Sequence, residues 1–353
     1  MTGFVYTSHP ARVIFGSGTL ARLPEEVERL DLHRVLVLAA PQQADDAQQI
    51  AARIGPRAAA VFSGATMHTP VSVTEEAMRL VQTERIDGLV AVGGGSTTGL
   101  GKAIALRTDL PQIVAPTTYA GSEMTPILGE TRDGQKVTQK SPRVLPETVI
   151  YDVDLTLNLP VALSGTSGIN AIAHAVEALY AQDRNPIMSL MALEGIRAMA
   201  RALPVIVQSP GDRAARSDAL YGAWLCGLCL GTVGMALHHK LCHTLGGTFD
   251  LPHAETHTAV LPHAVAYNAP ALPDEMAALA AALGATDAAQ GLFDLADAVG
   301  AQHALKHLGM PEAGIERTAD MAVANPYWNP RPLERQAIRD LIAHAYAGER
   351  PQI

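Results

Sequence analysis

Through its first 155 residues the chain alternates short apolar runs with amphipathic stretches, and beyond them the periodicity changes. The runs Arg12–Phe15, Arg34–Leu38, Ala59–Phe62, Gly88–Val92, Gln112–Ala115 and Thr148–Tyr151 have the length and apolar continuity of buried strands. Between several of them lie stretches with helical spacing of apolar residues, Leu20–Leu30, Asp45–Ile54 and Val73–Thr83. Strands separated by helices predict βαβ units and a doubly wound parallel sheet, with ligand loops at the carboxyl ends of its strands. After residue 155 only helical spacing remains, over Ser164–Ala181, Ile187–Val207, Ala214–Thr232, Leu237–Leu245, Thr256–Tyr267, Pro273–Leu283, Ala288–Leu308 and Leu333–Ala347. The pattern therefore predicts an α/β domain over residues 1–155 and an all-α domain over residues 156–353.

Composition narrows the function classes. The chain has 353 residues, enough for two cores, and 48% hydrophobic with 17% charged residues is an ordinary globular balance. Aromatics supply only 4%, so small residues must carry the helix packing. A net charge of −9 excludes a general nucleic-acid surface and leaves anion binding to local basic pockets. The start MTGFVYTSHPARV lacks a charged-then-apolar leader pattern, and no run of the length needed for a membrane span stands out. The expected place is the cytoplasm. Cys226, Cys229 and Cys242 lie in apolar helical surroundings and read as core packing.

Glycine-rich loops mark where a nucleotide would sit. Gly16-Ser-Gly18-Thr-Leu-Ala21 imitates a dinucleotide fingerprint, but no acid ends the next strand, which runs out as Ala39-Ala40-Pro41-Gln42. It reads as a plain turn. The stretch AVGGGSTTGLGKAIAL, residues 91–106, is the stronger signal. A strand enters Gly93-Gly94-Gly95-Ser96-Thr97, and a helix carrying Lys102 leaves it, so free N–H groups and the helix dipole face an incoming phosphate. After the next strand, Thr117, Thr118, Tyr119 and Ser122 form a second hydroxyl-rich loop suited to a cofactor. Further along, QKVTQKSPR (residues 135–143) supplies Lys140 and Arg143, and the proline-broken NPYWNPRP (residues 325–332) supplies Arg331; these are candidate anchors for a carboxylate.

Histidines concentrate in the second half. Six of the thirteen fall between Leu237 and His263: His238, His239, His243, His253, His257 and His263. His239 and His243 stand four apart, as do His253 and His257, and upstream so do Asn170 and His174. Four-residue spacing puts each pair on one helix face, which is the arrangement of shared ligands or of an acid–base pair. A break at Gly246-Gly247 is expected to let His239 and His253 meet.

The mid-domain GGGS loop, followed by a helical half with these histidine spacings, resembles the iron-containing alcohol dehydrogenase family over nearly the whole chain. The resemblance implies the dehydroquinate synthase-like fold, a nicotinamide cofactor in a cleft between the domains, and a metal held by one Asp and three His. By motif the histidines are His174, His239 and His253, with His243 as the further one near hydride transfer. The Asp position is Asn170 here, and the loop has Gly99 where the family usually has Asp. GGGSTTGLGKAIALRT, PTTYAGSEMTPILGET and NPYWNPRP resemble a branch of the family that reduces the C=C bond of 2-maleylacetate to 3-oxoadipate during aromatic-compound breakdown.

That chemistry makes the neutral Asn170 intelligible. Hydride addition to an enone builds a delocalised enolate, which hydrogen-bond donors can support without a Lewis acid. Loss of the anionic ligand also weakens divalent-metal binding. The expectation is NADH or NADPH as donor, no required metal, and a homodimer on resemblance. His243, His253, His239 and His174 are the catalytic candidates; Asn170, Lys140, Arg143 and Arg331 are the candidates to hold the small dicarboxylate. The rivals are a metal-dependent alcohol or polyol dehydrogenase of the same fold, a dehydroquinate-synthase-like lyase with no net NADH consumption, and a non-catalytic nucleotide-binding protein.

Overall fold

The computed structural model describes residues 4, 6–7, 12–132, 135–324 and 327–352. The readings of the N-terminal leader and of Asn325-Pro326 fall wholly or partly outside these residues, and so does the side chain of Lys136. The chain divides into two compact units after Leu159; Phe4, Tyr6 and Thr7 group with the second, which otherwise starts at Pro160. The break thus falls slightly later than residue 155, because the strand Thr148–Asp152 is followed by a 3-10 turn, Val153–Thr156, that still belongs to the sheet unit.

In the first unit, β1 (Arg12–Gly16), β2 (Val35–Leu38), β3 (Ala58–Phe62), β4 (Gly88–Gly93), β5 (Gln112–Pro116) and β8 (Thr148–Asp152) form one parallel sheet in the order β1-β8-β5-β4-β2-β3. All six match the apolar runs. Strands β2, β4, β5 and β8 are buried along their whole length, so they read as continuous apolar runs with no alternation. Helices α1 (Leu23–Arg29), α2 (Ala44–Ile54), α3 (Val71–Thr83) and α4 (Gly95–Thr108) supply the crossovers. Two cores result. Leu23, Val27, Val35, Val37, Val90, Ile113 and Ile150 pack on one face, and Leu36, Leu38, Leu89, Leu100, Ile104 and Val114 on the other.

The stretch taken for a loop around residue 135 is instead half of an antiparallel hairpin, β6 (Ile127–Arg132) with β7 (Gln135–Lys140). QKVTQK has one apolar residue, the exposed Val137, so its pairing left no hydrophobic alternation to read.

The second unit is helical: α5 (Val161–Tyr180), α6 (Pro186–Gln208), α7 (Arg213–Thr232), α8 (Leu237–Phe249), α9 (His253–Asn268), α10 (Pro273–Leu283), α11 (Ala288–Ala298), α12 (Gly314–Ala324) and α13 (Arg335–Ala347). Small residues let α6 and α7 approach closely, and a Cβ on Gly222 would lie 3.0 Å from the carbonyl oxygen of Gly195. Cys226 and Cys229 are buried free thiols there, pushed up by burial, Cys229 to about 12, as core packing requires. Pro273–Ala298 is long and apolar enough for a membrane span by length and composition, but it is two helices separated after Leu283 and half buried in the fold.

The expected break at Gly246-Gly247 is absent, since α8 runs through both glycines. The turn comes at Asp250, in the left-handed region with φ 53, before Pro252 leads into α9.

Candidate active site

Each unit brings one set of predicted residues together. In the sheet unit, β4 and β5 are neighbours, with Gly93 opposite Pro116 and the Thr117 N–H donating to the Gly93 carbonyl at 3.0 Å. The glycine loop and the hydroxyl loop therefore leave the sheet side by side. Gly94 caps α4, and its missing side chain is what lets them touch: a Cβ there would lie 2.9 Å from Thr118 Cγ2. The amides of Gly95 and Ser96 at the start of α4 have no intrahelical acceptor, which leaves two donors able to face an anion. Gly99 faces Thr69, and a Cβ would meet its hydroxyl at 2.4 Å, so an Asp at 99 requires the Thr69 side chain to shift.

The weaker loop is occupied by the protein itself. Asp152 at the end of β8 accepts from the Gly18 and Leu20 amides at 2.9 and 2.7 Å, so a carboxylate of the chain already fills the place of a phosphate.

Lys102 and Tyr119 correct the sequence reading. Lys102 is 1% exposed, and its ammonium donates to the Ser122, Thr125 and Ile127 carbonyls and to the Thr125 hydroxyl. Burial drives it down to about 7, while the charge of Glu123 pulls it back up. With oxygen acceptors all round it, the charged form is the one the surroundings serve. It braces the hydroxyl loop from beneath and is not a phosphate or carboxylate contact. The Tyr119 side chain is fully buried and the Ser122 Oγ is buried without a hydrogen-bond partner, which leaves Thr117 and Thr118 as the loop's half-buried hydroxyl side chains.

In the helical unit, α5, α8 and α9 bring together six imidazoles. Ring centroids are 5.1 Å apart for His174 and His239, 5.0 Å for His239 and His257, 4.3 Å for His253 and His257, and 4.8 Å for His238 and His257. His243 stacks on His253 at 6.4 Å. His243 and His253 are exposed, whereas His174, His238, His239 and His257 are buried behind them. Burial, and the mutual repulsion of neighbouring imidazoliums, hold His174, His238 and His257 well below the usual histidine range, so these rings are neutral. His263 is not in the cluster; burial and its neighbours His344 and His303 lower it to about 4.

Glu177 organises this cluster, and the sequence reading passed over it. It is fully buried on α5, in line with Asn170 and His174. One oxygen accepts the His238 N–H at 2.8 Å; the other accepts the Ala236 N–H at 2.8 Å and His239 Nδ1–H at 2.7 Å. The carboxylate thus holds the first turn of α8 and complements its dipole. Because an ionised carboxylate only accepts, Nδ1 of His239 must carry the proton, and Nε2 presents a lone pair. The spacing Asn170, His174, Glu177 (one helical face) was the signal available.

Several polar atoms here are buried without a hydrogen-bond partner: Asn170 Oδ1, His174 Nδ1, His239 Nε2 and His257 Nε2. Leaving such atoms unmatched costs about 1–3 kcal/mol each, so they mark a place built for something else. The Asn170, His174 and His239 atoms are donors a divalent cation accepts, and the Glu177–His239 pair is the carboxylate–histidine arrangement that orients a metal ligand. The expectation of no required metal therefore lacks support from the donor set. His238, Cys242 and His257 also bring ligand atoms within 4.8 Å of one another. There, however, His238 Nε2 and His257 Nδ1 are hydrogen-bonded at 3.0 Å and the Cys242 thiol is held protonated by burial, so this group is packing.

The carboxylate anchors fare differently. Arg331 donates to the Tyr267 carbonyl at 2.9 Å and lies 4.3 Å from its ring centroid, so it pins the loop to α9. Arg143 is exposed and lies 3.7 Å from Asp109; Lys140 ends β7 on the surface. Lys140 and Arg143 belong to the sheet unit, and Arg331, in the helical unit, is committed to Tyr267.

Comparison with known proteins agrees with this architecture on both sides of the chain. The pattern of the iron-containing alcohol dehydrogenases matches residues 10–153, and that of the Fe-containing alcohol dehydrogenase family, C-terminal, matches residues 164–346. The maleylacetate reductase of Rhizobium sp. (strain MTP-10005) is 58% identical over 352 residues, covering 100% of both chains. Among solved structures, the maleylacetate reductase of Agrobacterium tumefaciens superposes with a TM-score of 0.97 at 59% identity, covering 99% of this chain and 100% of that one. A putative alcohol dehydrogenase from Ralstonia eutropha JMP134 does so with a TM-score of 0.98 at 57% identity, over 100% of both chains. The chain belongs to the iron-containing alcohol dehydrogenase family.

Proposed function

We propose that this chain is a maleylacetate reductase: an oxidoreductase that uses NADH or NADPH to reduce the C=C bond of 2-maleylacetate, giving 3-oxoadipate. The observation that carries the reading is the neutral Asn170 amide beside open imidazoles, in a chain so similar along its full length to proteins of that name. Hydride passes from the nicotinamide to the alkene carbon β to the ketone. The alkene electron pair moves toward the carbonyl, giving an enolate, and one proton at the α carbon restores the ketone. His243, with His253 stacked on it, is the exposed pair able to donate to the enolate oxygen and deliver that proton. Asn170, His174 and His239 sit behind them and orient the oxygen-bearing end of the substrate. A divalent cation, held by these three and by His253, would add Lewis acidity at that oxygen.

The cofactor's phosphates lie at Gly94, Gly95 and Ser96, with Thr117, Thr118 and Ser122 beside them. No acid ends β2, so nothing there repels a 2′-phosphate, and either donor serves. Catabolic use, a cytoplasmic location and a homodimer complete the reading. A metal-dependent alcohol dehydrogenase is the second reading, favoured by the unspent donor atoms. Purified enzyme is expected to consume NADH when 2-maleylacetate is added and to reduce NAD⁺ poorly with simple alcohols. The reverse preference, with activity lost to a chelator, overturns the proposal.

A further inference from the structure

A dicarboxylate brings two charges, and taking either from water without a partner costs several kcal/mol. Lys102 and Arg331 are committed to backbone oxygens, as shown above. Arg335 and Arg339 are paired with Glu316, and Arg184 with Glu275. One basic side chain beside the imidazoles has no such commitment. Lys240 follows His239 on α8 and is exposed, with no carboxylate within ion-pairing distance among the described residues. Its ammonium lies 5.5 Å from the ring centroid of Tyr327, held over the aromatic face. The Tyr327 hydroxyl is buried and has no hydrogen-bond partner. Burial, with the charges of Glu177 and Tyr267, raises its pKa, so it is a protonated donor without an acceptor. Lys240, Thr244 and Tyr327, with Met321, Ala322 and Ala324, line a cavity of about 240 Å³.

We propose that this cavity is the subsite for one carboxylate of the substrate, with Lys240 as its cation and Tyr327 as its hydrogen-bond donor. The position suits the chemistry. Lys240 and His243 are three residues apart, which on a helix places their Cβ atoms about 5–6 Å apart. A carboxylate on Lys240 thus keeps the rest of a short chain within reach of His243. Met321 and Ala322 give the cavity an apolar wall beside the ammonium. The subsite is also a filter: it favours an anionic-ended substrate over a neutral alcohol.

The inference rests on the proposed reaction, and the test separates the two. Maleylacetate reduction, and inhibition by adipate and by the monocarboxylate hexanoate, are measured for wild type, Lys240→Met, Lys240→Arg and Tyr327→Phe. Lys240→Met is expected to raise KM for maleylacetate about tenfold to a hundredfold, the worth of one hydrogen bond to a charged group. It also erases any preference for adipate over hexanoate. KM for NADH stays within about threefold of wild type, and kcat changes less than KM. Lys240→Arg recovers most of the loss, and Tyr327→Phe raises KM about threefold to tenfold. Unchanged KM and unchanged adipate inhibition in Lys240→Met overturn the subsite, and so does an equal loss of NADH affinity. Wild type that turns over no maleylacetate, yet loses adipate binding on Lys240→Met, overturns the reaction and leaves the subsite standing.

Discussion

Two buried polar groups, one in each unit, show what separates a brace from a site. Around Lys102 the accounts close: the ammonium faces the backbone and hydroxyl of the hydroxyl loop, Glu123 lies nearby, and the Tyr151 hydroxyl donates to Glu123 at 2.7 Å. Around His239 they do not: Glu177 takes Nδ1–H, while Nε2 and its neighbours on Asn170 and His174 end without partners. Both groups are almost wholly excluded from solvent, so burial alone does not tell them apart. The unmatched lone pairs do, because several of them gathered on Asn170, His174 and His239 mark a place suited to a ligand.

The largest expected difference is catalytic. His243→Ala is expected to lower kcat by about 10²–10⁴-fold while leaving NADH affinity and the unfolding midpoint near wild type, as removal of a general acid does. Turnover close to wild type would end its role. Lys102→Met, in the satisfied group, should do the opposite, costing about 3–5 kcal/mol of stability by stranding Glu123 and several carbonyls. Denaturant titration reads this; a midpoint unchanged would make Lys102 something other than a brace.

His263 gives a pH test outside both groups. It is neutral when folded down to about 4 but titrates near 6.5 when unfolded. As pH falls below 6.5 the unfolded chain binds a proton that the folded chain refuses, so stability drops until about pH 4. The total is about 3 kcal/mol, at about 1.4 kcal/mol for each pH unit. His263→Gln should flatten the stability curve by that slope across this window, and parallel curves would show that His263 is not buried neutral.

The smallest effect sharpens the comparison most. Glu177→Gln offers one acceptor oxygen where the Ala236 and His238 amides and His239 Nδ1–H need two. It should weaken divalent-metal retention about tenfold to a hundredfold, the usual cost of removing an outer-shell partner. Imidazole ¹⁵N shifts should also report loss of the fixed Nδ1–H tautomer of His239. Retention of both would reduce Glu177 to a helix cap.

Much of this was legible in one dimension. Buried parallel strands are continuous apolar runs, and all six were readable; four-residue histidine spacing pointed to shared helix faces. Hairpin β6–β7 was not readable, because the buried positions of β6 are Leu128 and the polar Glu130, and β7 is exposed from Val137 on, so no apolar alternation results. Helix α12 was missed as well, although Thr318, Ala319 and Ala322 bury one side of it. Glu177 escaped notice because a lone Glu on an apolar helix face has no meaning until the start of α8 is set against it.

Local order, then, belonged to the sequence: where strands and helices run, and which residue types share a helix face, follow from side-chain periodicity within a few turns. Which polar groups are spent and which are left open was decided in three dimensions. A hydrogen bond joins residues far apart in the chain, as Glu177 and His239 are, and only the packed fold brings donor to acceptor or leaves one waiting.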